Sequence, residues 1–183
     1  MPGMALETVR VTAILPATPD RIYAAWLDSR EHSKMTGGKA VVDPTVGGQH
    51  SAWDGYITGS NVELEPARRI VQTWRSTDFP LGSGDSRLEV HLREAEGGTE
   101  ITIIHGEIPE GQGAQYEKGW SGHYLEPMRK YFAKSARPAT AKKKPAKKAA
   151  KPAARKARKP KPAKKAVKVA KTKKTKKAQK RKK

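Results

Sequence analysis

Apolar and polar positions change period twice along the first two thirds of the chain. Leu6–Leu15, LETVRVTAIL, alternates and is rich in β-branched residues, which predicts a strand. The period then turns helical, with Ile22, Ala25, Trp26 and Ser29 recurring at three- and four-residue spacing. Thr18 stands at the N-cap, Pro19 at the first helical position and Asp20 in the first turn, so a helix is expected over Pro19–Ser29. A second short helical turn is expected near His32–Met35, before Gly37-Gly38.

Short runs separated by turn residues follow. KAVVD precedes Pro44, and GQHSAWDGYITGSNVELEP carries the hairpin signal Asp54-Gly55. RRIVQTWRS comes after Pro66. In SRLEVHLREAE, Leu88, Val90 and Leu92 face one way and Arg87, Glu89, His91 and Arg93 the other. Gly97-Gly98 marks a tight turn. TEITIIHGEI then sets Ile101, Ile103 and His105 against Thr102 and Ile104, with Glu107 sharing the parity of His105. Regular strands with turn signals predict an antiparallel meander.

A long helix is expected from about Gln112 to Lys134. At about 100° per residue, Tyr116, Trp120, His123, Tyr124, Leu125, Pro127, Met128, Tyr131 and Phe132 fall within one arc of roughly 200°, with Lys118, Gly122, Glu126, Arg129 and Lys130 opposite. An arc that wide predicts burial along the whole length. Pro127 removes a backbone donor and is expected to kink the helix. The predicted class is α+β: a curved antiparallel sheet of about six to seven strands around a long C-terminal helix.

Composition adds a division that the pattern alone hides. The formal net charge of the 183 residues is +20, yet residues 135–183 hold 24 Lys or Arg and no acid. That leaves 14 basic against all 18 acidic residues in 1–134, a net of −4. The last segment has only Val167 and Val169 as larger apolar groups and cannot bury enough surface to offset its ordering entropy. One folded domain over 1–134 and a disordered tail over 135–183 are therefore expected. The chain has no Cys, no apolar leader-like stretch and no run of membrane-spanning length. The expectation is a soluble cytoplasmic protein without a membrane span.

DGYITGSNVELEPARRIVQTWR, LEVHLREAEGGTEITIIHGEIPEG and EKGWSGHYLEPMRKYF, in this order and spacing, resemble the C-terminal domain of the activators of the 90-kDa heat-shock chaperone ATPase. The resemblance runs from about Thr8 to Phe132. It rests on Gly47-Gly48, Asp54-Gly55, Trp74-Arg75, Gly106, Pro109, Gly119-Trp120 and the Tyr124–Phe132 segment. It implies a START-like (SRPBCC) helix-grip fold, a chaperone as a partner, and space under the last helix for a ligand.

Trp53, Trp74, His105, Trp120, Tyr124 and Met128 are the candidate lining of such a cavity, with a small apolar molecule as its ligand. Each of these residues also suits a packed core, and His105 reads more readily as a satisfied core histidine than as a catalyst. The five histidines lack metal-ligand spacing. LGSGDS lacks the lysine of a phosphate loop, GSGDSR lacks the third glycine of a dinucleotide fingerprint, and no G-x-S-x-G elbow occurs. No catalytic residue, metal or cofactor is assigned, and the balance leans away from an enzyme.

The tail repeats KPAKKA at 144–149 and 161–166, with KPAARKA at 151–157, and resembles the C-terminal tails of linker histones. Lys142, Lys143, Lys144, Lys147, Lys148, Lys151, Arg155, Lys156, Arg158, Lys159, Lys161, Lys164 and Lys165 are the candidate phosphate contacts. Closely spaced cations release condensed counterions from a polyanion. Without aromatics there is no platform for base stacking. Sequence-independent binding to duplex DNA is expected, with RNA as a second polyanion and a nucleoid or chromatin location. The leading expectation is a binding module for an apolar molecule or a protein, tethered to DNA. The alternatives are a cochaperone that stimulates a heat-shock chaperone ATPase and an enzyme acting on an apolar substrate in the cavity.

Overall fold

The structure, a computed structural model, describes residues 5–135. The candidate phosphate contacts of the tail lie outside the described residues. Among those described, seven strands form one antiparallel sheet. They are β1 (Leu6–Leu15), β2 (Ala40–Val42), β3 (Gln49–Ala52), β4 (Ile57–Glu65), β5 (Arg69–Ser76), β6 (Ser86–Ala95) and β7 (Gly98–Pro109). Their spatial order is β1-β7-β6-β5-β4-β3-β2, so the first strand pairs with the last and the rest form a meander. Helices α1 (Pro19–Leu27) and α2 (Ser29–Thr36) lie between β1 and β2. The C-terminal helical stretch comprises α3 (Gly113–Gly119), a π-helical segment (Trp120–Leu125) and α4 (Glu126–Ser135). The sheet curves around this stretch, giving the expected α+β helix-grip architecture.

The inward faces follow the alternation. Leu88, Val90 and Leu92 of β6 and Ile101, Ile103 and His105 of β7 are all buried. At the Asp54-Gly55 turn, φ is +55° and +89°, the positive values that a type I′ turn requires. The Tyr56 N–H donates to the Trp53 carbonyl at 3.1 Å and closes it. Thr18 caps α1 by accepting from the Arg21 N–H. The helix ends at Leu27, short of the expected Ser29, because Asp28 is extended and its carboxylate caps α2 by accepting from the Glu31 N–H at 2.8 Å.

Two further expectations change. Glu107 does not share the inward face of His105. Its φ is +59°, and the β1–β7 register shifts between Glu7 and Val9. This bulge turns Glu107 out to solvent and brings Ile108 inside, fully buried. Glutamate in the left-handed region is strained. Glu107→Gly is therefore expected to stabilise the domain by about 0.5–1 kcal/mol, the relieved strain exceeding the entropy glycine loses. A rise in the urea midpoint at unchanged slope would show it.

The second concerns the helix expected from about Gln112 to Lys134, which is interrupted by the π-helical segment. The sequence places Tyr116, Trp120, Tyr124, Met128 and Phe132 four residues apart, and all five are buried. In an α-helix that spacing drifts by about 40° per step. The π-helical segment counters the drift by widening the turn, with the Glu126 N–H donating to the Ser121 carbonyl five residues back. Pro127, which lacks an N–H of its own, follows directly after this wide turn. His123, expected on the buried arc, is instead exposed.

Candidate functional site

Between α3, the π-helical segment and the β3–β5 region lies a cavity of about 480 Å³. Its floor is formed by Trp74, Trp120 and Tyr124, each nearly inaccessible. Trp53, Tyr56 and Tyr116 complete a wall of six rings, and Gln115, Lys118 and His123 form its polar edge. Trp74 sits at the junction, with its ring centroid 5.0 Å from Tyr116 and 6.1 Å from Trp120. Such ring clusters favour tilted and edge-on contacts, as found here.

Four of the six candidate lining residues, Trp53, Trp74, Trp120 and Tyr124, come together on this cavity. His105 and Met128 do not line it; both are fully enclosed in the core. His105 lies behind the cavity wall in a chain of hydrogen bonds whose directions are fixed by its ends. The Trp120 indole N–H donates to His105 Nδ1 at 3.1 Å, so that nitrogen carries a lone pair. The ring proton therefore sits on Nε2 and is donated to Ser86 Oγ at 2.7 Å. Ser86 in turn donates to the Trp74 carbonyl at 2.7 Å.

Burial pushes the His105 pKa down to about 3, which keeps the imidazole neutral. Although Ser86 and His105 are within hydrogen-bond distance, they do not form a nucleophile–base pair. The lone pair of the base is occupied by the indole, and the serine proton points at a carbonyl. They tie the Trp120 indole to the backbone of Trp74. Burial also raises the phenols lining the wall, Tyr116 to about 12 and Tyr124 further, so both stay protonated at neutral pH.

Asp78, in the β5–β6 loop, fastens one end of the cavity. Its Oδ2 accepts from the Tyr56 hydroxyl at 2.5 Å and from Gln115 Nε2 at 3.1 Å, and its carbonyl accepts from Gln112 Nε2 at 2.9 Å. From the other side the Glu7 carboxylate accepts the Gly111 N–H at 3.0 Å and the Gly113 N–H at 2.5 Å. Glu7 thus caps α3, whose own N-cap residue, Gln112, makes no such bond. Tyr56, Gln115, Tyr116 and Lys118 were not among the candidates. Tyr116 stands on the apolar arc and could have been found there. Lys118 falls on the outward face and is indeed exposed, yet it also borders the cavity where this opens past α3.

Residues 16–133 match the family described as "Activator of Hsp90 ATPase homolog 1-like protein". The chain belongs to this family. Among relatives of this activator-like family, the human "Activator of 90 kDa heat shock protein ATPase homolog 1" is 23% identical over 137 residues. That match covers 74% of this chain and 40% of the human protein. The Dictyostelium discoideum homologue is 23% identical over 131 residues, covering 72% of this chain and 34% of that protein. The chain thus spans about two fifths or less of the length of these curated relatives.

The crystal structure of an HSP90 activator from Plasmodium falciparum superposes with a TM-score of 0.62 at 24% identity, covering 72% of this chain and 97% of that one. A Chromobacterium violaceum protein superposes at 0.56 with 27% identity, covering 68% and 96%. These likenesses place the activator-like fold on the described domain.

Proposed function

We propose that the domain is a cochaperone that docks on a chaperone of the Hsp90 class and stimulates its ATPase. The observation that carries this reading is the family match over 16–133, joined to relatives whose names describe activators of that ATPase. The likeness to the Plasmodium falciparum activator, which extends over 97% of that chain, supports a role for this domain alone. The test is the ATP turnover of a purified Hsp90 homologue from the same cells, titrated with this protein. The expected result is a saturable rise in turnover. An unchanged rate at saturating protein would overturn the proposal.

The cavity favours a second reading, in which the domain holds a small apolar molecule. A volume of about 480 Å³ lies within the usual range for small-molecule sites. The charge division of the chain supports an accompanying role for the tail as a sequence-independent DNA tether, with 24 cations and no acid in 135–183. The two readings are compatible: a tethered module can carry both a chaperone-facing surface and a ligand.

A further inference from the structure

The cavity has more specific chemistry than a general apolar pocket requires. Its apolar wall is built almost entirely of rings, with Ile57 the single branched aliphatic residue. The residues that line it include one ammonium group, on Lys118, and no carboxylate.

The backbone adds an independent observation at Trp53. This residue has φ +54°, in the left-handed region, although it precedes the turn's two central residues and is a bulky aromatic. A Cβ at Gly38 would lie 2.5 Å from the Trp53 ring, so the indole rests directly on the Gly38 backbone. The His123 ring meets it edge-on at 5.6 Å between centroids. A strained backbone, a close approach only glycine permits and an aromatic neighbour together fix a half-exposed indole at the cavity wall. Strain of this kind persists where the surroundings over-determine it, and it clusters at ligand clamps.

We propose that the cavity binds a planar aromatic anion. Its ring system stacks on Trp53 above the Trp74 floor, and its acid group meets the Lys118 ammonium; the Gln115 amide is already engaged by the Asp78 carboxylate. Rings select a flat π-system over a flexible alkyl chain because stacked and edge-on contacts add to simple area burial. The lone cation at the edge selects negative charge. This inference rests on the second reading above, that the domain holds a small apolar molecule.

The test titrates full-length protein with 2-naphthoate and, separately, with the neutral isostere 2-naphthalenemethanol, following the four indole N–H resonances by NMR. The tail carries no aromatic residue, so these signals report on the domain alone. The expected result is saturable binding of both compounds. The anion should bind about two- to fivefold more tightly, the effect of a solvent-exposed ion pair. In Lys118→Gln that preference should vanish while the affinity for the neutral compound stays the same. Trp53→Ala should weaken both compounds by about tenfold. Equal affinities in the unaltered protein, or a preference that survives Lys118→Gln, would overturn the anion assignment and leave the apolar-ligand reading standing. Failure of both compounds to shift any indole resonance would overturn both.

Discussion

Lowering the pH from 7.5 to 5 is expected to cost the domain roughly 4 kcal/mol of unfolding free energy, through two buried histidines. His105 is held neutral by burial, with its pKa pushed down to about 3. His32 is likewise buried and pushed down to about 4. Its Nδ1–H donates to the Trp26 carbonyl at 2.8 Å, while its Nε2 is enclosed without a partner among the described residues. In the unfolded chain both imidazoles titrate near about 6.5. Below that pH the unfolded chain takes up a proton that the folded chain refuses, so stability falls as pH falls. Each group contributes about 1.4 kcal/mol per pH unit, or about 2 kcal/mol by pH 5.

The loss from His32 levels off near pH 4 and that from His105 near pH 3. His50, also lowered by burial, adds to the same trend. The carboxylates held below their usual range, Glu31, Glu65 and Glu89, contribute only at lower pH, so the window from 6.5 to 5 isolates the histidines. Urea unfolding at a series of pH values would check this. A flat profile down to pH 5 would contradict the neutral, enclosed imidazoles. In His32→Phe the slope over this window should drop by less than half, since His105 and His50 still titrate.

The second large effect concerns the tail. If six to ten phosphates are engaged, affinity for duplex DNA should fall by about 10³- to 10⁵-fold between 50 and 200 mM salt. Removal of residues 136–183 should abolish that binding, because the remaining chain carries a net negative charge. Fluorescence anisotropy with two unrelated duplexes of equal length would read both properties, and equal affinities are expected. Salt-independent binding, a marked preference between duplexes or undiminished binding after truncation would each contradict a polycationic tether. Chaperone stimulation by the truncated protein would show in addition that the tether and the proposed cochaperone activity are separable.

Features governed by short-range pattern were legible in the sequence. The alternation of β6, the Asp54-Gly55 turn, the Thr18 cap and the buried aromatic line from Tyr116 to Phe132 all follow from neighbouring residues. What escaped depends on partners remote in sequence or on competition between local signals. Asp28 divides α1 from α2 because its carboxylate serves the second helix, although Ser29 continues the apolar spacing of the first. The bulge at Glu107 breaks strand parity; Gly106 beside it is the one local signal, yet the positive φ falls on the glutamate. His105 was legible as inward-facing, but its tautomer required the Trp120 indole, fifteen residues away. The cavity wall was partly legible through its tryptophans. Lys118 was not, because helical periodicity separates faces but does not show where a cavity runs out to solvent.

The pairing of the first strand with the last also governs how the chain can fold as it is made. Residues of β1 wait for partners 84 to 103 positions further on, from Leu15 with Thr99 to Leu6 with Pro109, and Glu7 waits for the amides of Gly111 and Gly113. Contacts of such long separation slow folding and prolong the exposure of unpaired strands. During synthesis Leu6–Leu15, a strand-forming segment, emerges ahead of the rest of the domain and stays without its partner until nearly all of that domain has left the ribosome. Newly made chains should therefore be most exposed to holdase chaperones and to aggregation just before β7 appears, and that interval should close once Gly113 is out.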